Sequence, residues 1–338
     1  MPASASHVPL VVATRGEADE SIHYGAVAVV DRDGRLLFAA GDPGAFVFTR
    51  SALKPLQALP FVRDGGIERF GWSSEQVALM CASHSGEPRH VAGVADMLAR
   101  AGSGPDDLQC GTHAPGYHEV RGEPPPPPPY SPLAHNCSGK HAGMLACCAL
   151  HGWRRDDYLD PAHPLQQAIR AAVAEYAGVP SSDLVMGIDG CSAPNYALPL
   201  AALARAFARL ASGDGGGPWD GAAQRLRDAM TAHPAMVSGD GRSDETLMRA
   251  GGGDWVTKIG AEGVQAVGVA SRGVGIAIKV ADGGRRAIGP ATVAVLDRLG
   301  LLDEGRRATL ARLAAPVIRN YRGRATGGLR PVLELRPC

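Results

Sequence analysis

Lysine is scarce in this chain, with four residues, at positions 54, 140, 258 and 279, among 338. A surplus of either charge is also missing: 34 Lys and Arg stand against 34 Asp and Glu. That balance argues against nucleic acid and against an anionic membrane surface as partners. Arg, Gly or Pro breaks every apolar run well before the roughly 18 residues that a membrane span needs. The first ten residues have neither the basic segment nor the apolar core of a secretion signal, so a cytoplasmic location is expected. A disulfide framework is not expected either, because the seven cysteines are odd in number and unevenly spread. Cys81, Cys147 and Cys148 sit in apolar stretches and read as small buried hydrophobes.

What is present suffices for a large core. Residues 8–13, 24–30 and 36–40 read as strands, the last two joined by the turn Asp31-Arg32-Asp33-Gly34. Helices are predicted over 55–62, 75–80 (capped by Ser73 and Ser74), 91–101, 142–150, 164–177, 198–210 and 222–231. Residues 213–218 read as a glycine loop. Three further strands, 256–259, 264–270 and 275–280, precede two closing helices at 291–299 and 308–314. Strands at both ends and helices between them predict an α+β fold whose terminal strands share one antiparallel sheet, as a single domain over 1–338. Its helical subregion covers about 51–235. The six prolines 124–129 predict an extended, stiff surface loop.

The densest chemistry lies in His135-Asn136-Cys137-Ser138-Gly139-Lys140-His141-Ala142-Gly143, directly ahead of the apolar run 144–150. A thiol, an amine and two imidazoles do not gather to build a core. A second thiol stands beside a carboxylate in Asp189-Gly190-Cys191-Ser192. Cys137 and Cys191 are too far apart for a Cys-x-x-Cys finger, but zinc could take both thiolates plus other groups. Lys140, three residues after Cys137, can point to the same spot once neutral. His135, His141 and Asp189 are further candidates, and redox pairing of the two thiols is the competing reading.

Ser51-Ala52-Leu53-Lys54 is a Ser-x-x-Lys tetrad, in which positions i and i+3 share a helical face. A neutral lysine can then take the serine proton while the hydroxyl attacks an acyl carbon. The bland alternative is an N-cap serine and a solvated lysine. Chain order supports the catalytic one: Ser83-His84-Ser85-Gly86 follows at a helix end, and Thr257-Lys258-Ile259-Gly260 on a late strand, as in Ser–Lys acyl enzymes. Three of the four lysines, Lys54, Lys140 and Lys258, thus fall inside candidate motifs, and an amine can lose a proton where arginine cannot.

Five blocks together resemble the asparaginase II family, the Rhizobium-type or class 3 L-asparaginases. They are Ser51-Ala-Leu-Lys54-Pro-Leu-Gln-Ala, Cys81-Ala-Ser83-His84-Ser-Gly-Glu87, His135 to Gly143, Gly187-Ile-Asp-Gly-Cys191-Ser-Ala-Pro-Asn195 and Lys258-Ile-Gly-Ala-Glu-Gly263. The resemblance spans about residues 8–335 and implies a serine β-lactamase- or glutaminase-like fold. It implies hydrolysis of L-asparagine to L-aspartate and ammonia, with two Ser–Lys pairs, Ser51 with Lys54 and Ser83 with Lys258. It also implies a zinc site from Cys137, Lys140 and Cys191 completed by water, substrate contacts from Arg50, His141 and Asp189, and a homodimer. The six-proline insertion departs from the family pattern. Rival readings are a glutaminase, a β-lactam- or peptide-directed acyl hydrolase, and a zinc or thiol-redox sensor without turnover.

Overall fold

The computed structural model describes residues 6–213 and 219–338. Its strands are β1 (Val8–Arg15), β2 (Ala18–Asp31), β3 (Leu36–Ala40), β4 (Phe46–Phe48), β5 (Val185–Ile188), β6 (Pro194–Pro199), β7 (Trp255–Gly260), β8 (Val264–Val269), β9 (Val274–Val280), β10 (Val317–Arg319), β11 (Ala325–Pro331) and β12 (Arg336–Pro337). Nine of them form one sheet in the order β10-β11-β1-β2-β9-β8-β7, with β3 beside β2 and β12 beside β3. The pairings are antiparallel, and the β2–β9 contact, Gly25 with Val280 through Asp31 with Val274, joins the two ends of the chain. The expected α+β architecture, an antiparallel sheet from both chain ends around a helical middle, is the observed one.

Side-chain alternation sorts the two faces of this sheet. Ala26, Ala28, Ala266 and Ala277 face the helix Leu200–Ser212. The paired glycines Gly268 and Gly275 let that helix come close, because a Cβ on either would run into the carbonyl of Phe207 or Ala204. The larger Val27, Val29, Ile276 and Ile278 face the other way, under the helices Ile288–Arg298 and Glu304–Ala314. Beyond Leu200–Ser212, the helices Lys54–Arg63, Ser74–Met80, Pro88–Arg100, Ser138–His151 and Pro164–Ala177 build the helical region around one apolar core.

The element predictions held where periodicity was long. The helix Pro164–Ala177 keeps the predicted bounds, and Ser73 caps Ser74–Met80 through a reciprocal pair of bonds with Gln76. The helix predicted from 198 instead begins at Leu200, because the preceding apolar residues form β6. That strand is central in a second sheet, β4-β6-β5, which the sequence reading missed. A fully buried strand running straight into an apolar helix shows one continuous hydrophobic run, with no change of period to mark the boundary. The helices Pro234–Ser238 and Ser243–Gly251 and the strands β10–β12 were missed as well. Prolines 124–129 are exposed on the surface, and residues 214–218 of the predicted glycine loop lie outside the described residues. Among the described residues no helix is long and apolar enough to cross a membrane.

Candidate active site

The edge strand β7, the helical region and the small sheet meet around Lys54. A 3-10 turn, Arg50–Leu53, runs directly into the helix Lys54–Arg63. The turn begins from a strained backbone: Arg50 has φ +49°, a left-handed conformation that a residue with a Cβ adopts at a cost. Asn195 on β6 holds it there. Its side chain accepts from the Arg50 N–H and donates to the Arg50 carbonyl, both at 3.0 Å. The next residue, Ser51, is half-buried, and its hydroxyl has no hydrogen-bond partner among the described residues.

Lys54 is 1% exposed. Its Nζ donates to the Ala82 carbonyl at 2.6 Å, to Ser83 Oγ at 2.9 Å and to the Asn136 carbonyl at 3.3 Å. Ser83 follows the C-terminus of Ser74–Met80 and is fixed by its N–H on the Val237 carbonyl and by Arg242 Nη1 donating to its own carbonyl at 2.8 Å. Lys258, on β7, is fully buried and donates to the Ile259 carbonyl at 3.0 Å and to Asp244 Oδ2 at 3.4 Å. Burial pushes its pKa down to about 8; Asp244 opposes this push, and the nearby Lys54 adds to it. Cys81, buried in the core and close to both amines, is pushed up to about 12 by burial, so it is an inert thiol.

The second cluster lies at the start of Ser138–His151, whose N-cap is Cys137. Lys140 Nζ donates to Cys191 Sγ at 2.9 Å. A hydrogen bond from Cys191 holds the Cys137 thiol well below its ordinary pKa; burial opposes this, and Lys54 and Lys140 reinforce it. Burial works against the Lys140 ammonium, but Cys191 and Cys137 outweigh it and raise its pKa. Cys191 sits on a tight turn in which Ser192 has φ +67° and the Ser192 N–H bonds the Asp189 carbonyl at 2.9 Å. Asp189 Oδ1 accepts from Arg50 Nε at 2.9 Å, which ties this turn to the strained one before Ser51. His141 is fully buried, with Nδ1 on Tyr158 Oη at 2.7 Å, and burial lowers its pKa to about 4.

Two cavities flank these clusters. One of about 440 Å³ is lined by Arg50, Asp189, Asn195 and Glu262. The other, about 580 Å³, is lined by His84, Asn136, Arg242 and Ile259, the residues adjoining Ser83, Cys137 and Lys258. The buried amines, the serine hydroxyls and the guanidinium–carboxylate pair are the kinds of group that acyl transfer uses.

Residues 11–331 match the family described as L-asparaginase II. The chain belongs to the L-asparaginase II family. Membership supports an amidohydrolase. Among solved structures the chain is similar to Mglu in its native form, at 17% identity over 83% of this chain and 65% of that one, with a TM-score of 0.38. It therefore spans about 65% of the length of Mglu. It is also similar to a β-lactamase from Mycobacterium bovis, at 16% identity over 81% of this chain and 94% of that one, with a TM-score of 0.41. No curated protein matches it.

Within this chain, the hydrogen bonds divide differently from the expected pairs. Lys54 reaches Ser83 instead of Ser51, because its amine is drawn to the two carbonyls that frame the Ser83 loop. Lys258 reaches a carboxylate, Asp244, instead of Ser83. Arg50 and Asp189 line the smaller cavity together, whereas His141 lies behind it, against Cys191. Asp244 and the clamping role of Asn195 escaped the sequence reading. Asn195 stood inside a quoted motif without a task; Asp244 looks like an ordinary acidic residue of a helix first turn.

Zinc was expected at Cys137, Lys140 and Cys191. Among the described residues no group of three His, Cys, Asp or Glu could hold a metal ion. The donor chemistry nevertheless fits zinc. Two sulfurs and an amine converge in a buried space, and His141 Nε2 is buried beside them without a hydrogen-bond partner.

Proposed function

We propose that this protein is an L-asparaginase that hydrolyses L-asparagine to L-aspartate and ammonia through an acyl-enzyme on Ser51. The observation that carries this reading is the buried Lys54 Nζ–Ser83 Oγ contact of 2.9 Å, one turn after the half-buried Ser51, in a chain of this family. Ser51 Oγ attacks the side-chain amide carbon, and its proton passes to Lys54. The C–N bond breaks, the proton moves through Ser83 to the departing nitrogen, and ammonia leaves. Water then attacks the Ser51 ester, which releases aspartate and restores the hydroxyl. Arg50 and Asp189, already paired, offer opposite charges to the α-carboxylate and α-ammonium of an amino acid.

Cys137, Lys140 and Cys191 would hold zinc, and zinc bound there supplies a Lewis-acidic anchor beside Asp189 for a polar substrate group. The serines and lysines already provide a nucleophile and a proton path, so the reaction is not routed through the metal.

The test is ammonia release at mildly alkaline pH from L-asparagine, with L-glutamine in parallel. Release from asparagine in clear preference to glutamine is the expected result. Release from glutamine alone would make the protein a glutaminase; the two substrates differ by one methylene, which a pocket resolves by only about 1–3 kcal/mol. Release from neither would overturn the amidohydrolase reading.

A further inference from the structure

Asp244 is fully buried, on the first turn of Ser243–Gly251, and lines neither cavity. Both its oxygens are engaged. Oδ1 accepts from Thr257 Oγ1 and Gln265 Nε2, each at 3.1 Å, and Oδ2 accepts from the Ile259 N–H at 2.9 Å and from Lys258 Nζ at 3.4 Å. A carboxylate this deep is retained only when its partners are fixed, and here they are three neighbours on β7 and one on β8. The two buried amines of the site therefore have different surroundings. Lys258 has a carboxylate and a carbonyl; Lys54 has two carbonyls and the Ser83 hydroxyl.

We infer that Asp244 is a positioning residue of the hydrolytic site, which anchors Lys258 as a fixed cation beside the Ser83–Lys54 contact. This rests on the amidohydrolase reading above. A fixed cation at that point favours the anionic character that develops on Ser83 and on the attacked amide as the proton moves. The charged and titratable groups that face Lys258 are Asp244 and Arg242 from one side, and Lys54 and Cys81 from the helical region. Of these, Asp244 is the one carboxylate that favours the ammonium, so its removal has a defined sign: Lys258 must lose its proton at lower pH.

The experiment compares the full-length protein with Asp244→Asn, Lys258→Met and the double variant. In Asp244→Asn, kcat for L-asparagine is expected to fall at least about ten-fold with KM within about two-fold, because Asp244 lines neither of the two cavities described above. The pH profile of kcat is expected to move to lower pH. The double variant, which removes both buried charges together, is expected to match Lys258→Met in kcat. If Asp244→Asn does not fold, that last comparison decides: a further ten-fold loss in the double variant would overturn the inference. An unmoved pH profile in a folded Asp244→Asn protein would overturn it as well. Should the parent release no ammonia from asparagine or glutamine, the functional reading has failed. The placement of Lys258 is then tested by 13Cε NMR titration, which four lysines keep resolvable. The Lys258 midpoint moves to lower pH in Asp244→Asn, and an unchanged midpoint refutes the anchoring.

Discussion

Lys54→Met separates chemistry from structure, because methionine nearly matches the lysine stem and removes only the amine. The parent amine serves two carbonyls, Ala82 and Asn136, and the Ser83 hydroxyl. Each buried acceptor left without a donor costs about 1–3 kcal/mol, and hydrogen bonds to a charged group contribute at the upper end of the usual range. Against this, a 1%-exposed amine no longer has to be desolvated. The net loss expected is about 2 kcal/mol, a fall of roughly 3 °C in Tm at about 1.4 °C per kcal/mol for a chain of 338 residues. A protein with ordinary stability of about 5–15 kcal/mol remains folded after that loss. Removal of a general base costs about 10²–10⁴ in rate, or roughly 3–5 kcal/mol of barrier at about 1.36 kcal/mol per decade. Thermal unfolding followed by circular dichroism and ammonia release from L-asparagine on the same sample read the two terms apart. Lys54→Arg is the companion: it restores the donors and the charge but cannot give up its proton at these pH values. Turnover of Lys54→Met within ten-fold of the parent, or substantial rescue by arginine, would refute the base role.

Two further predictions complete the set. Lys258, held near pH 8 by burial, loses its proton as pH rises through that value, and with it the shared positive charge on the two amines falls. The cation that favours the anionic character at Ser83 is lost in that direction, so kcat/KM is expected to fall as pH rises through about 8. A pH–rate profile that keeps climbing well above that value would refute a role for the Lys258 cation. At the sulfur cluster, Cys137→Ser, Cys191→Ser and Lys140→Ala are each expected to lower the zinc content of the purified protein at least several-fold. Metal analysis that shows as much zinc in all three as in the parent would place the ion elsewhere, whatever happens to turnover.

Residue identity and order along the chain made much of this protein legible before any coordinates. Ser51 and Lys54 are separated by a fixed helical spacing; Cys137 and Lys140 are as well. Long amphipathic stretches such as Pro164–Ala177 announce their own period. Those are local signals, set by backbone geometry that repeats every 3.6 or 2 residues. The family resemblance followed from motif blocks in order over about residues 8–335, and the family match covers 11–331 of that span.

Tertiary structure decided who touches whom. Lys54 could bond Ser51 one turn away, yet it is drawn to Ser83, because two separate loops, one with Ala82 and one with Asn136, bring carbonyls that require a donor. The strained Arg50 backbone exists only because Asn195, distant in sequence, supplies both a donor and an acceptor to it. The carboxylate that anchors Lys258 comes from a helix whose first turn gave no sign of chemistry. Sequence alone sets which groups are available and how neighbours along an element are spaced. Which buried donor finds which buried acceptor depends on the packing of separate elements, since in a dry interior each polar group takes the partner that the fold brings within reach.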